Sequence, residues 1–142
     1  MLRFLCVAAA LLLSASEAFA HGDEPAAPPK KEVAPLFPAK VFQSKSGPIL
    51  VDNKGMTLYT FDRDSTGTKS SCDAKCTERW TPLAAPADAV PKGDFTIITR
   101  SDGSKMWAYR FRPLYTSQAD KAPGDANGFD GANLWHIARP TF

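Results

Sequence analysis

The stretch Leu58-Tyr59-Thr60-Phe61-Asp62-Arg63-Asp64 returns as Leu114-Tyr115-Thr116-Ser117-Gln118-Ala119-Asp120, and this duplication constrains the fold more than any other feature. Each copy runs on to a glycine, Gly67 or Gly124, and then to a tryptophan, Trp80 or Trp135. An ordered series of shared residues implies one supersecondary unit used twice. A unit this small buries little apolar surface alone, so the two copies are expected to share a core.

Each copy is preceded by a hairpin signal. Ile49-Leu50-Val51 and Met56-Thr57-Leu58-Tyr59-Thr60-Phe61 flank Asn53-Lys54-Gly55, while the runs 95–100 and 105–111 flank Ser101-Asp102-Gly103-Ser104. β-branched and aromatic runs separated by turn formers read as paired strands. The segments 65–92 and 117–133, rich in Gly, Pro, Asp and Ala, read as long loops with at most a turn or two of helix at 72–80. The expected class is mainly β: a small antiparallel sheet or barrel-like domain built from two internal repeats, about 47–86 and 95–142.

Residues 1–20 carry one basic residue, Arg3, an apolar run from Phe4 to Leu13, and Ala18-Phe19-Ala20. That pattern reads as a secretory signal peptide cleaved near Ala20, with an apolar run too short to span a bilayer. Cys6 lies inside the apolar run and not at a cleavage boundary, so it is not read as a lipid-bearing cysteine. Residues 21–40, rich in Pro, Ala and Lys, read as a disordered arm, which leaves 41–142 for the two-repeat domain. The expected location is periplasmic or secreted. With 17 basic and 15 acidic residues the chain carries a net charge of +2, a balance that gives no reason to expect nucleic acid as a partner. Partners are otherwise open, with an envelope protein or a small ligand as the expectation.

At this point the residues resemble a known family. Tyr59-x4-Asp64, Cys72-x3-Cys76-x3-Trp80, Trp107-Ala108-Tyr109, Tyr115-x4-Asp120, Pro123-Gly124-Asp125 and Trp135-His136 together are similar to the bacterial secreted-repeat proteins, described as predicted lipoproteins with a Y-x4-D motif. The resemblance covers about residues 47–142. It implies location and architecture, and no activity, because the function of that family is not established. Family members often carry a lipid-anchor cysteine after the signal peptide, and this chain has none there.

Within the motif, Tyr59 and Phe61 share one strand face by alternation, and an aspartate at a strand end suits an Asx-type turn onto nearby backbone N–H groups. The tyrosines could alternatively line a pocket at the seam between repeats. Trp80, Trp107 and Trp135 read as core or inter-repeat packing. Arg100, Lys105, Arg110 and Arg112 read as a solvated strand face. The run 124–131 lacks the ligand spacing of a calcium loop, because Phe129 stands where an oxygen donor is needed.

Three readings compete for Cys72 and Cys76. Positions four apart on a helical turn lie about 6 Å apart, within reach of a disulfide, and export favours oxidation. A copper site would draw on Cys72, Cys76 and His136, with Met56 and Met106 as further soft donors. A thiol-redox role would expect C-x-x-C at a helix start, which is absent. The staple is the favoured reading, with no cofactor. No nucleophile elbow, phosphate loop or paired-histidine motif is present, so the chain reads as a non-enzymatic binding or interaction module. The alternative is a periplasmic copper-binding or thiol-redox protein.

Overall fold

The computed structural model describes residues 38–64, 69–128 and 131–141. The leader read at 1–20 and most of the arm read at 21–40 lie outside these residues. Among the described residues nine short strands follow in order: β1 (Lys40–Ser44), β2 (Gly47–Val51), β3 (Leu58–Phe61), β4 (Trp80–Pro82), β5 (Phe95–Thr99), β6 (Lys105–Tyr109), β7 (Arg112–Pro113), β8 (Tyr115–Ser117) and β9 (Trp135–Ile137). All pairings are antiparallel, and the architecture is mainly β without a closed barrel. A single 3₁₀ turn, Ala74–Cys76, is the helical element between 72 and 80.

The second expected hairpin forms as β5–β6, whereas the first does not: β2 pairs with β1 and β3 with β8 and β9, so the turn at Asn53-Lys54-Gly55 passes from one sheet to the next with only the isolated bridge Val51–Thr57 across it. The Asp52 carboxylate accepts the N–H groups of Lys54 (2.9 Å) and Met56 (2.9 Å), and the Asp102 carboxylate accepts that of Ser104 (2.9 Å). These aspartates close the turns because their short side chains imitate a backbone acceptor. Gly55 and Gly103 supply the positive φ that each turn requires (86° and 83°).

The central sheet has the order β4-β8-β3-β9, which reads the same from either repeat. β3 and β8, the two Leu-Tyr-Thr strands, lie side by side with Tyr59 opposite Tyr115. The tryptophan strand of each repeat then pairs with the other repeat: β4 with β8, Trp80 opposite Ser117, and β9 with β3, Trp135 opposite Phe61. The exchange continues past the strand ends in matched backbone bonds. Ala138 N–H reaches Leu58 O (2.8 Å) as Leu83 N–H reaches Leu114 O (2.9 Å), and Leu50 N–H reaches Ala138 O as Trp107 N–H reaches Leu83 O (2.8 Å each). Each repeat is thus completed by a strand from its twin.

Alternation along β3 and β6 divides the core in two. Tyr59, Phe61, Met106 and Ala108 enter one cluster with Cys72, Trp80, Tyr115 and Trp135. Leu58 and Trp107 enter the other with Leu50, Phe95 and Leu114. All four residues of β3 are buried, since the strand is covered on both faces. The Trp80 and Trp135 rings stack at 3.7 Å with planes 7° apart, and Tyr59 and Tyr115 meet them edge-on at 5.2 and 5.0 Å. Geometry of this kind adds about 0.5–1.5 kcal/mol per pair beyond area burial.

Candidate functional site

At the seam the Y-x4-D elements are wired across the repeats. Tyr59 Oη donates to Asp120 Oδ2 (2.9 Å), and Tyr115 Oη donates to Asp64 Oδ2 (2.9 Å). Each aspartate turns its other oxygen to a backbone N–H seven residues on: Asp64 accepts from Ser71 (2.7 Å) and Asp120 from Asn127 (2.6 Å). The Asx turn expected at Asp120 is therefore not what its carboxylate forms. The N–H of Ala122, two residues on, goes instead to Asp125 Oδ2 (2.9 Å), together with that of Lys121 (2.9 Å). Within the described residues, both motif aspartates, Asp120 buried and Asp64 half-buried, serve as junctions between a tyrosine of one repeat and a loop of the other.

Burial sets the electrostatics of the seam. It raises both phenol pKa values well above the usual tyrosine range, Tyr115 against the opposing hydrogen bond from Ser70 and Tyr59 against that from the Gly128 N–H. It also raises the carboxyl groups of Asp64 and Asp120, against the hydrogen bonds each accepts from its loop N–H and its tyrosine. Since the single hydrogen of Tyr115 goes to Asp64, Ser70 Oγ is the donor in its 2.8 Å contact with Tyr115.

One residue beyond each loop N–H the repeats diverge. The first has Cys72, fully buried and joined to Cys76 with Cα atoms 5.1 Å apart. The second has Gly128, whose N–H donates to Tyr59 Oη (3.1 Å). A Cβ on Gly128 would lie 2.6 Å from the Tyr59 ring and 2.8 Å from Trp80. The first loop fills its place with a cross-linked side chain; the second fills it with bare backbone. Arg100 ties the cross-linked loop to the β5–β6 hairpin, its Nη2 donating to Cys72 O (2.8 Å) with Asp73 at 3.6 Å. Its side chain is only 9% exposed, so it is a buried clamp and not part of a solvated face.

The other candidate donors are dispersed. Met106 is fully buried in the core, Met56 lies in the turn before β3, and His136 Nε2 meets Asp62 Oδ2 at 2.7 Å on the surface. Among the described residues no three His, Cys, Asp or Glu side chains converge as a metal site would need. No helix of the described residues is long and apolar enough to cross a membrane.

A second cluster escaped the sequence reading. Asp62 accepts Arg112 Nη2 (3.0 Å) as well as His136, and these two bonds, His136 first, hold its carboxyl below the usual range. Beside them Arg110 and Arg139 line an open groove of about 260 Å³ with Tyr109 and Thr141. The groove owes its shape to the β6–β7 turn, in which Tyr109 pairs with Arg112 and both central residues are left-handed, Arg110 at φ 47° and Phe111 at φ 65°. Such turns normally carry Asn-Gly, and side-chain-bearing residues there cost about 1–2 kcal/mol each. Arg-Phe carries no turn signal, so only the closeness of Tyr109, Arg110 and Arg112 along the chain hinted at it.

No curated protein and no solved structure matches the chain. A family model described as a secreted repeat of unknown function matches residues 40–84 and 96–139, one match for each structural repeat. The two matches divide the chain as the exchanged sheet does, so the seam joins two family units within one molecule. The chain belongs to this family of secreted repeats.

Proposed function

We propose that the protein is an exported, non-enzymatic binding module, freed by cleavage near Ala20, whose motif residues build a frame and whose outer turns meet a small ligand or an envelope partner. The observation that carries this reading is the reciprocal Tyr–Asp wiring. Tyr59, Asp64, Tyr115 and Asp120 hold one another and the two loops, while Trp80 and Trp135 stack between them. Groups engaged in this way support a scaffold role for the motif, and the exposed polar groups lie elsewhere.

Cys72 and Cys76 fit the same reading as a staple on one loop. A copper or thiol-redox role would first require that bond to open. Intact-mass measurement of the exported protein with and without reductant, together with metal analysis, separates the two. A gain of about 2 Da on reduction with no bound metal is expected, since reduction adds one hydrogen to each sulfur. Stoichiometric copper, or free thiols in protein kept under air, would overturn the reading.

A further inference from the structure

We infer that the groove beside the β6–β7 turn binds a phosphate group, carried on a small molecule or on a lipid headgroup. The inference deepens the binding reading above and rests on it. Arg110, Arg112 and Arg139 line the groove, and Asp62 is the carboxylate bonded to this set, through Arg112 and His136. Among the described residues, three guanidinium groups against one carboxylate leave an excess of two positive charges. A phosphate monoester dianion matches that excess, whereas a single carboxylate covers half of it. Each guanidinium offers five N–H donors in a planar fork suited to phosphate oxygens. Contacts among the described residues occupy only part of that set: Arg110 bonds Thr141, Arg112 bonds Asp62, and Arg139 bonds Ser46 and the carbonyl of Pro48. The volume of about 260 Å³ falls below that of a typical drug-sized site and suits a phosphate with its immediate attachment.

The turn gives an independent reason to place a ligand here. In the first repeat the turn leading into the motif strand is Asn53-Lys54-Gly55, with the positive φ assigned to glycine. In the second, Arg110 and Phe111 take left-handed conformations, and Phe111 stands 60% exposed with no core to fill. Strain of this kind concentrates at ligand clamps, where the side chain matters more than backbone ease. Here it sets Arg110 and Arg112 on the rim of one groove.

The test is a titration of the mature protein, followed by amide NMR shifts, with inorganic phosphate, glycerol 3-phosphate and acetate. Co-sedimentation with phosphatidylcholine vesicles, with and without phosphatidic acid, runs beside it. Shifts at 109–112 and 136–141 should saturate with a Kd of about 1 mM or tighter for either phosphate, and at least about tenfold weaker for acetate. R110N/F111G, which installs turn formers, should raise Tm and weaken phosphate binding about tenfold or more; K75Q, which also removes one charge, should leave it unchanged. Vesicle binding that needs phosphatidic acid and is lost in R110N/F111G assigns the phosphate to a lipid; saturation by the soluble phosphates alone assigns it to a free phosphomonoester. Absence of saturation, or an unaltered response in R110N/F111G, overturns the assignment. If the protein is nonetheless disulfide-bonded and metal-free, the broader binding reading survives that result; bound copper would remove the reading itself.

Discussion

Tyr59 donates its hydroxyl hydrogen to Asp120, 61 residues away in the other repeat, and not to Asp64, its partner in the motif as spelled along the chain. Tyr115 does the converse with Asp64. The structural unit of Y-x4-D is therefore a pair of motifs.

A double-mutant cycle reads this wiring directly. Y59F and D120N should be coupled by about 0.5–3 kcal/mol in urea unfolding, as expected for groups in one hydrogen-bonded contact. Y59F and D64N should add independently. Each tyrosine change alone should cost about 1–3 kcal/mol, because it leaves a carboxylate short of a donor, buried Asp120 for Tyr59 and half-buried Asp64 for Tyr115. Strong coupling between Tyr59 and Asp64 would contradict the exchanged arrangement.

The same groups set how stability responds to pH. Asp64 and Asp120 are raised above 3.8 by burial, so the folded protein holds their protons more tightly than the unfolded chain. Their contribution is complete below 3.8 and is lost as pH rises through the raised folded values. Asp62 and Asp125, lowered by hydrogen bonds, act oppositely and lose their contribution as pH falls through that region. Subtracting the urea-midpoint profile of D64N/D120N from that of the wild type should isolate a fall with rising pH just above 3.8. A flat difference would show that burial does not govern these carboxyls.

At the alkaline end the phenols dominate. Tyr59 and Tyr115, raised by burial above their ordinary 10.0, stabilise the fold below that pH, and the contribution is lost as pH climbs above it. Absorbance at 295 nm should show them ionising only together with unfolding. Reversible ionisation of all three tyrosines near pH 10 in protein that stays folded would contradict their burial.

Gly128→Ala tests the bare-backbone loop. Its Cβ would stand 2.6 Å from the Tyr59 ring, so we expect a loss of about 1–3 kcal/mol from overpacking. The added strain should also displace Tyr59 from Asp120, removing most of the Y59F effect from the double variant. A Tm equal to that of the wild type would show that the ring can move aside.

Opening the staple should be milder than a core lesion. A loop closed over four residues confers about 2 kcal/mol by chain entropy, so C72A/C76A should lower stability by that amount plus the gap left by buried Cys72. Calorimetry of the variant checks it, and an unchanged Tm would make the bond dispensable.

Much of the frame was legible because it is written locally. The duplication, the turns at Asn53-Lys54-Gly55 and Ser101–Ser104, the β5–β6 hairpin and the proximity of Cys72 to Cys76 all follow from local spacing, whereas the strand that β2 pairs with, β1, gave no such signal. The exchange of β4 and β9 was not legible, since alternation gives the face a residue occupies and never the strand beside it. Arg100 read as solvated because a charge on a strand usually is; its burial depends on the loop of Cys72 folding over it. Arg110-Phe111 read as strand because neither residue announces a left-handed turn.

The strand that completes the first half of the molecule, β9, begins at Trp135 and follows every described strand of the second half. A sheet opened at Leu58 therefore stays unfinished until the second repeat, as far as Trp135, has been made. Contacts this distant in sequence form late, since closure entropy must be met first. The order of the strands thus keeps the first repeat from closing its sheet ahead of its twin.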